Sequence, residues 1–208
     1  MEHRIQVPAD VTFIPSLPGS AEARLDELTK LLLSEAQRQN LIAESTIPQF
    51  RSRHINDSLQ LLPLLAPGNV VDVGSGAGLP GLVLACTCER VFHLIEPRAR
   101  RVAFLTQAIQ HLELAHRVTV HRANVQRVGR LNASNIVARA VASLDTFLSI
   151  TFHIAAPDAR WVLPKGRSAR MELEAAQQSW QGEFQLVGSA TDPSASIVVA
   201  SHIGRRRK

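Results

Sequence analysis

Tyrosine is absent from this 208-residue chain, and phenylalanine and tryptophan together bring the aromatic share to only 4%. Any stacking on a flat ligand is therefore expected from arginine planes more than from rings. Cysteine is scarce too. Cys86 and Cys88 are one residue apart, too close for an ordinary disulfide, and two thiols alone cannot build a structural zinc site. They are expected to be reduced, partly buried thiols on a helix, and no metal site is expected. Long apolar runs are missing: the stretch 59–66 is broken by Gln60 and Pro63, so no membrane span is expected. The first eight residues lack the apolar core of a signal peptide, which points to a cytoplasmic protein. Lysine occurs only as Lys30, Lys165 and Lys208, so the net charge of +5 is carried almost wholly by arginine. That excess favours a polyanionic partner and suits bidentate contact with phosphate or guanine.

What is present is an alternation of short apolar strands and amphipathic helices. Residues 1–19, with Pro8, Pro15, Pro18 and Gly19, read as an irregular arm. Ser20 is placed to cap a helix running to about Asn40, with Leu25, Leu28, Leu31 and Leu32 at helical spacing. Thr46 and Pro48 open a second helix that Pro63 stops near Leu62. On it His54, Asp57 and Ser58 share one face, opposite the apolar stripe Ile55, Leu59 and Leu62. The polar face reads either as a solvated surface or as part of a site.

From residue 70 the order is strand 70–73, helix 82–88, strand 91–95, helix 98–114, strand 117–121, strand 136–141, helix 144–156, strand 160–163 and helix 169–180. Strands 184–187 and 197–200 close the chain as a hairpin around Asp192 and Pro193. Such alternation predicts an α/β, Rossmann-like doubly wound sheet, mostly parallel with an antiparallel C-terminal strand. The chain divides into an N-terminal arm and helical extension over 1–66 and a core over 67–208 with a basic tail.

The stretch 69–81, Asn-Val-Val-Asp-Val-Gly-Ser-Gly-Ala-Gly-Leu-Pro-Gly, organises this core. A strand runs into glycines at 74, 76, 78 and 81 and then into a helix, the opening of a nucleotide-binding βαβ unit. A dinucleotide fingerprint wants a third glycine where Leu79 stands, which argues against an NAD-type oxidoreductase. Asp72, two residues before the first glycine, completes a pattern that resembles motif I of the class I methyltransferases using S-adenosylmethionine. Glu96, at the end of strand 91–95, stands at the distance where a carboxylate meets ribose hydroxyls. Gly74, Glu96, the Ala123-Asn124 pair and Arg139 are expected around one crevice.

Five blocks taken together resemble the bacterial 16S rRNA guanine-N7 methyltransferases, the glucose-inhibited division protein B family. They are Arg53-His-Ile-Asn-Asp-Ser; residues 71–81; Leu94-Ile-Glu-Pro with Arg100-Arg-Val-Ala-Phe-Leu; Ala138-Arg-Ala-Val-Ala-Ser-Leu; and Pro164-Lys-Gly. The resemblance implies a class I methyltransferase fold with an N-terminal helical extension and an enzyme that methylates N7 of one guanosine in 16S rRNA, free or within the small ribosomal subunit; the chain itself is expected to be a monomer. It implies that Gly74, Ser75, Gly76, Gly78 and Leu79 lie against S-adenosylmethionine. In the same scheme Glu96 holds the ribose, Ala123 and Asn124 line the adenine, and Arg139 reaches the methionine end. Arg53, His54, Arg139 and Lys165 become walls of the RNA site. Two positions depart from the pattern: Asn124 stands where an acid is usual, and Asn56 where an aliphatic residue is usual.

Guanine N7 carries an in-plane lone pair at neutral pH, so no general base is expected among the eight histidines and no catalytic residue is assigned. A non-enzymatic RNA-binding module with a residual pocket is the alternative, against which the intact Gly74, Gly76, Gly78 and Glu96 speak.

Overall fold

The computed structural model describes residues 13–206; residues 1–12 of the arm and 207–208 of the basic tail lie outside them. After α1 (Gly19–Ala36) come a 3₁₀ turn (Glu44–Gln49), a π-helical turn (Arg51–Asn56), the short α2 (Asp57–Leu59) and a 3₁₀ turn (Leu62–Leu64). Then β1 (Val70–Val73), α3 (Gly81–Thr87), β2 (Phe92–Ile95), α4 (Ala99–His111), β3 (Val118–His121) and β4 (Ala133–Val137) alternate. The chain continues through α5 (Leu144–Thr151), β5 (Ala155–Lys165), α6 (Ala169–Ser179), β6 (Trp180–Gly188) and β7 (Ser196–Arg205). All seven strands form one sheet in the order β3-β2-β1-β4-β5-β7-β6. Only β7 runs against its neighbours β5 and β6; the pairings among β1 to β5 are parallel.

Successive residues of β1 serve opposite faces, as the pleat requires. Val70 joins a core with Leu25, Leu28, Leu32, Leu82 and Leu105, while Val71 and Val73 join one with Leu144, Phe147, Leu173 and Trp161. Helices therefore cover both faces, and the N-terminal segment shares the first of these cores. Among the described residues no side chain caps α1. Its leucines hold it instead: Leu25, Leu28 and Leu32 are fully buried, each contributing roughly 1.5–3 kcal/mol over exposure.

Several expected boundaries are corrected by the structure. Helix α1 starts at Gly19 after Pro18 and ends at Ala36, and Ser20 makes no cap bond. The helix expected over 46–62 is broken into three pieces. Pro48 has no amide to donate, and after it the backbone widens so that Asp57 N reaches Ser52 O, five residues back. Strand β4 ends at Val137, not 141, because Ala140 turns left-handed with φ 53° and takes Arg139 out of the ladder. The expected 144–156 helix stops at Thr151, and β5 begins already at Ala155 through its pairing with Ala133. Trp180, expected to end a helix, opens β6 because its ring is fully buried and its Nε1 donates to Asp145 Oδ1 at 3.0 Å. Cys86 is buried in α3, where burial pushes its thiol up to about 12, whereas Cys88 is extended and ends that helix. Both thiols are free, as expected. No described helix is long and apolar enough to cross a membrane.

Candidate active site

The turn after β1 is left-handed at all three motif glycines, with φ 75° at Gly74, 55° at Gly76 and 83° at Gly78, a conformation only glycine adopts without strain. The amides of Gly74 and Ser75 both donate to Ile95 O, at 2.8 and 3.1 Å, which ties the turn to the end of β2. The glycines differ in what surrounds them. A Cβ at Gly74 would meet only Val141 Cγ1, at 4.0 Å, so open space lies against this residue. At Gly78 a Cβ would strike Leu82 at 2.6 Å, so this glycine serves packing. Ser75 and Leu79 are buried as well, Ser75 donating to Asp72 O and Leu79 sitting in the core.

Asp72 is wholly buried. Its Oδ2 accepts from Gly81 N at 3.0 Å, while its Oδ1 has no partner among the described residues. Burial raises its pKa to about 7, as expected for a carboxylate stripped of water. Glu96 is also buried, its Oε2 accepting from Gly76 N at 3.0 Å and its Oε1 from Arg98 N at 2.9 Å. Each oxygen keeps a further acceptor position for a hydroxyl. The crevice itself has a volume of about 310 Å³ and is lined by Gly74, Ile95, Ala123, Asn124, Val141 and Phe147, among others. Glu96 adjoins this lining through Ile95 and Pro97.

Val141 also lines a second cavity, of about 350 Å³, together with Arg53, Asp57, Arg139, Lys165 and Asp192. The crevice and the cavity thus meet at one residue. Arg139 is held by the N-terminal segment: its Nη1 lies 3.2 Å from Arg53 O, 3.2 Å from His54 Nδ1 and 3.5 Å from Asp57 Oδ2. Lys165 is committed internally, its Nζ lying 2.8 Å from both Ala142 O and Glu172 Oε2.

His54 lies behind Arg139 and does not line the cavity. The face it shares with Ser58 is interior, not solvated, for both residues are buried. A guanidinium can only donate, so His54 Nδ1 accepts and Nε2 carries the proton toward Thr46 Oγ1 at 2.8 Å. Burial, and after it the charge of Arg139, push the imidazole pKa down to about 4. Because that lies below the unfolded value, His54 stabilises the fold above about pH 6.5, and the contribution drains away as pH falls toward about 4. We expect the melting temperature of the native chain to fall between about pH 7 and about pH 5 more steeply than that of His54→Gln. Parallel curves would show that His54 does not titrate in this way.

The expected residues therefore fall into two neighbouring groups, Gly74, Ala123 and Asn124 in the crevice and Arg53, Arg139 and Lys165 in the cavity. Ser75, Gly78, Leu79 and His54 support them from behind. Thr191, Asp192 and Glu172 also line the cavity, and nothing in their local sequence marks them. No group of three or more His, Cys, Asp or Glu able to hold a metal is found among the described residues.

A seven-stranded sheet of this order, with a glycine crevice at the carboxyl ends of β1 and β2, defines a class I methyltransferase. Solved structures agree on the fold. A methyltransferase from Geobacter sulfurreducens matches with a TM-score of 0.56 and 13% identity over 90% of this chain and 98% of that one. A SAM-dependent methyltransferase from Aquifex aeolicus gives a TM-score of 0.57 and 16% identity over 74% of this chain and 93% of that one. The sequence model of the family described as "GidB: rRNA small subunit methyltransferase G" matches residues 21–192. The ribosomal RNA small subunit methyltransferase G of Rhizorhabdus wittichii is 42% identical over 92% of this chain and 90% of its own length. The chain belongs to the rRNA small subunit methyltransferase G family.

Proposed function

We propose that the chain transfers a methyl group from S-adenosylmethionine to N7 of a guanosine in 16S rRNA, acting as a cytoplasmic monomer. The observation that carries this reading is the meeting of the crevice and the arginine-bearing cavity at Val141. A donor in one and a base in the other would be neighbours. When bound, S-adenosylmethionine supplies a sulfonium methyl that needs no proton transfer to react with N7.

The residues present fit that cofactor. Gly74 leaves room for it, the apolar walls Ile95, Val125 and Phe147 suit an adenine face, and Asn124 offers an amide to the adenine edge. Glu96 would accept from the ribose hydroxyls, and Asp72, sealed behind the glycine turn and outside the crevice lining, would respond to a bound cation through its charge and not by contact. Arg139, fixed by Arg53, His54 and Asp57, would receive a carboxylate or the guanine O6. In this reading the segment before β1 is an extension that holds Arg139 for the core through Arg53, His54 and Asp57, and catalysis is chiefly orientation. Alignment of N7 with the methyl group is worth roughly 7–11 kcal/mol in well-oriented systems.

Purified protein, S-adenosylmethionine with a labelled methyl group, and 16S rRNA from cells lacking the enzyme are the test. Label at N7 of one guanosine, mapped by mass spectrometry, is expected. Label on a pyrimidine or on protein, or none on RNA, would overturn the reading. Asp72 adds a pH signature. Its raised pKa means the protonated side chain is accommodated in the ligand-free fold, and that stability is lost as pH rises through about 7. A cation bound nearby favours the ionised form, so the thermal shift given by S-adenosylmethionine should grow from about pH 6 to about pH 8. Asp72→Asn should flatten this trend, and a flat trend in the native chain would separate Asp72 from the cofactor.

A further inference from the structure

The cavity holding Arg53, Arg139 and Lys165 is not a basic pocket. Its three cations face three carboxylates, Asp57, Glu172 and Asp192, so its formal charges balance. A cavity that gripped phosphate alone would keep a positive excess. Glu172 is committed: Oε2 accepts from Lys165 Nζ and from Leu144 N at 3.0 Å, and Oε1 accepts from Ser168 Oγ at 2.8 Å. Asp192 stands at the rim with its side chain 40% exposed, and its Oδ1 accepts from the amide and hydroxyl of Ser194. Asp57 differs from both. Its Oδ1 is clamped by Gln60 Nε2 at 2.8 Å and Thr191 Oγ1 at 2.9 Å, while its Oδ2 meets, among the described residues, only Arg139, at the long distance of 3.5 Å. It is thus a rigidly held carboxylate with acceptor capacity left over, and it lines the cavity but not the crevice.

We propose that Asp57 is the residue that selects guanine, its Oδ2 accepting from the N1–H and 2-amino group of the target base while N7, on the opposite side of the ring, faces the crevice. This rests on the guanine-N7 reading above. Guanine's two donors along that edge converge on a single acceptor, a place that the Oδ2 of Asp57 can take. Adenine presents a bare N1 lone pair there, which a carboxylate repels. The same charge serves the reaction. In the transfer the carbon–sulfur bond breaks with its electron pair passing to sulfur, and the N7 lone pair forms the new bond. Positive charge therefore moves from sulfur to the purine ring, and no proton is displaced. A carboxylate at the ring edge is favoured by that change, whereas Arg139 alone would oppose it. Asp57 is the counter-charge that lets Arg139 line the same cavity.

The test compares 16S rRNA carrying guanosine or inosine at the mapped position, since inosine lacks only the 2-amino group. The native enzyme is expected to lose on the order of tenfold in kcat/KM on inosine, the effect of one hydrogen bond to a charged acceptor. Asp57→Asn keeps an oxygen for Gln60 and Thr191 but loses the charge. It should lower kcat on guanosine by on the order of tenfold, leave S-adenosylmethionine affinity within about twofold, and shrink the preference over inosine. Should that variant melt before assay, Thr191→Val removes one of the two bonds that hold Asp57 Oδ1 without removing its charge, and the loosened carboxylate should also narrow the preference. Equal use of inosine by the native enzyme, or full preference retained in the folded variants, overturns the role of Asp57. Absence of N7 methylation by the native enzyme overturns the functional reading instead.

Discussion

Gly74→Val is expected to raise the dissociation constant for S-adenosylmethionine at least about a hundredfold, an energy of roughly 2.7 kcal/mol. At φ 75° a valine is strained, at a cost of roughly 1–2 kcal/mol. In a chain of this size that lowers the melting temperature by a few degrees, at roughly 2–4 °C per kcal/mol, and does not unfold it. A Cβ at this position meets nothing closer than Val141 Cγ1 at 4.0 Å, so the fold is not forced apart. The branched methyl groups instead enter the crevice between β1 and β2. Gly74→Ala, which carries the strain without the extra methyl groups, should weaken binding less. Calorimetry showing unchanged affinity for Gly74→Val would remove the crevice as the seat of the cofactor.

Gly81→Ala should do the reverse and act first on stability. A Cβ there would lie 2.5 Å from both Asp72 Oδ2 and Leu94 Cδ2 and 2.8 Å from Asp72 Cβ. All three belong to buried side chains with nowhere to retreat. The same residue's amide is the donor to Asp72 Oδ2, so relieving the clash also stretches the hydrogen bond that the buried carboxylate makes. Overpacking of this kind costs about 3 kcal/mol. That corresponds to a fall of about 10 °C in melting temperature. Gly129→Ala, where a Cβ meets nothing within 4 Å, is the matched control and should change little. Equal melting curves for the two variants would show that α3 can move off β1 at small cost.

Both glycines stand in the one stretch of sequence that announced the site, yet they act differently. Spacing showed that a turn follows the strand ending at Val73, because strand pleat, left-handed glycines and helix period are each set by neighbours a few residues apart. It did not show that Gly78 and Gly81 are packing residues, for that depends on how Leu82 folds back over the turn and on Leu94 arriving from β2. The polar face of the second segment is a similar case. His54 and Ser58 alternate with apolar residues as a solvated helix face would, but the π turn and the docking of Arg139, 85 residues on, bury His54.

Sequence alone determined the strand and helix order from residue 70, the glycine turn, the acidic end of β2 and the family, since those patterns repeat over short spans. Only the tertiary structure decided that Asp57 meets Thr191 across 134 residues and that the arginine cavity is electrically balanced. Charge balance in a cavity is a sum over residues that chain folding gathers, and no local period encodes which side chains will be gathered.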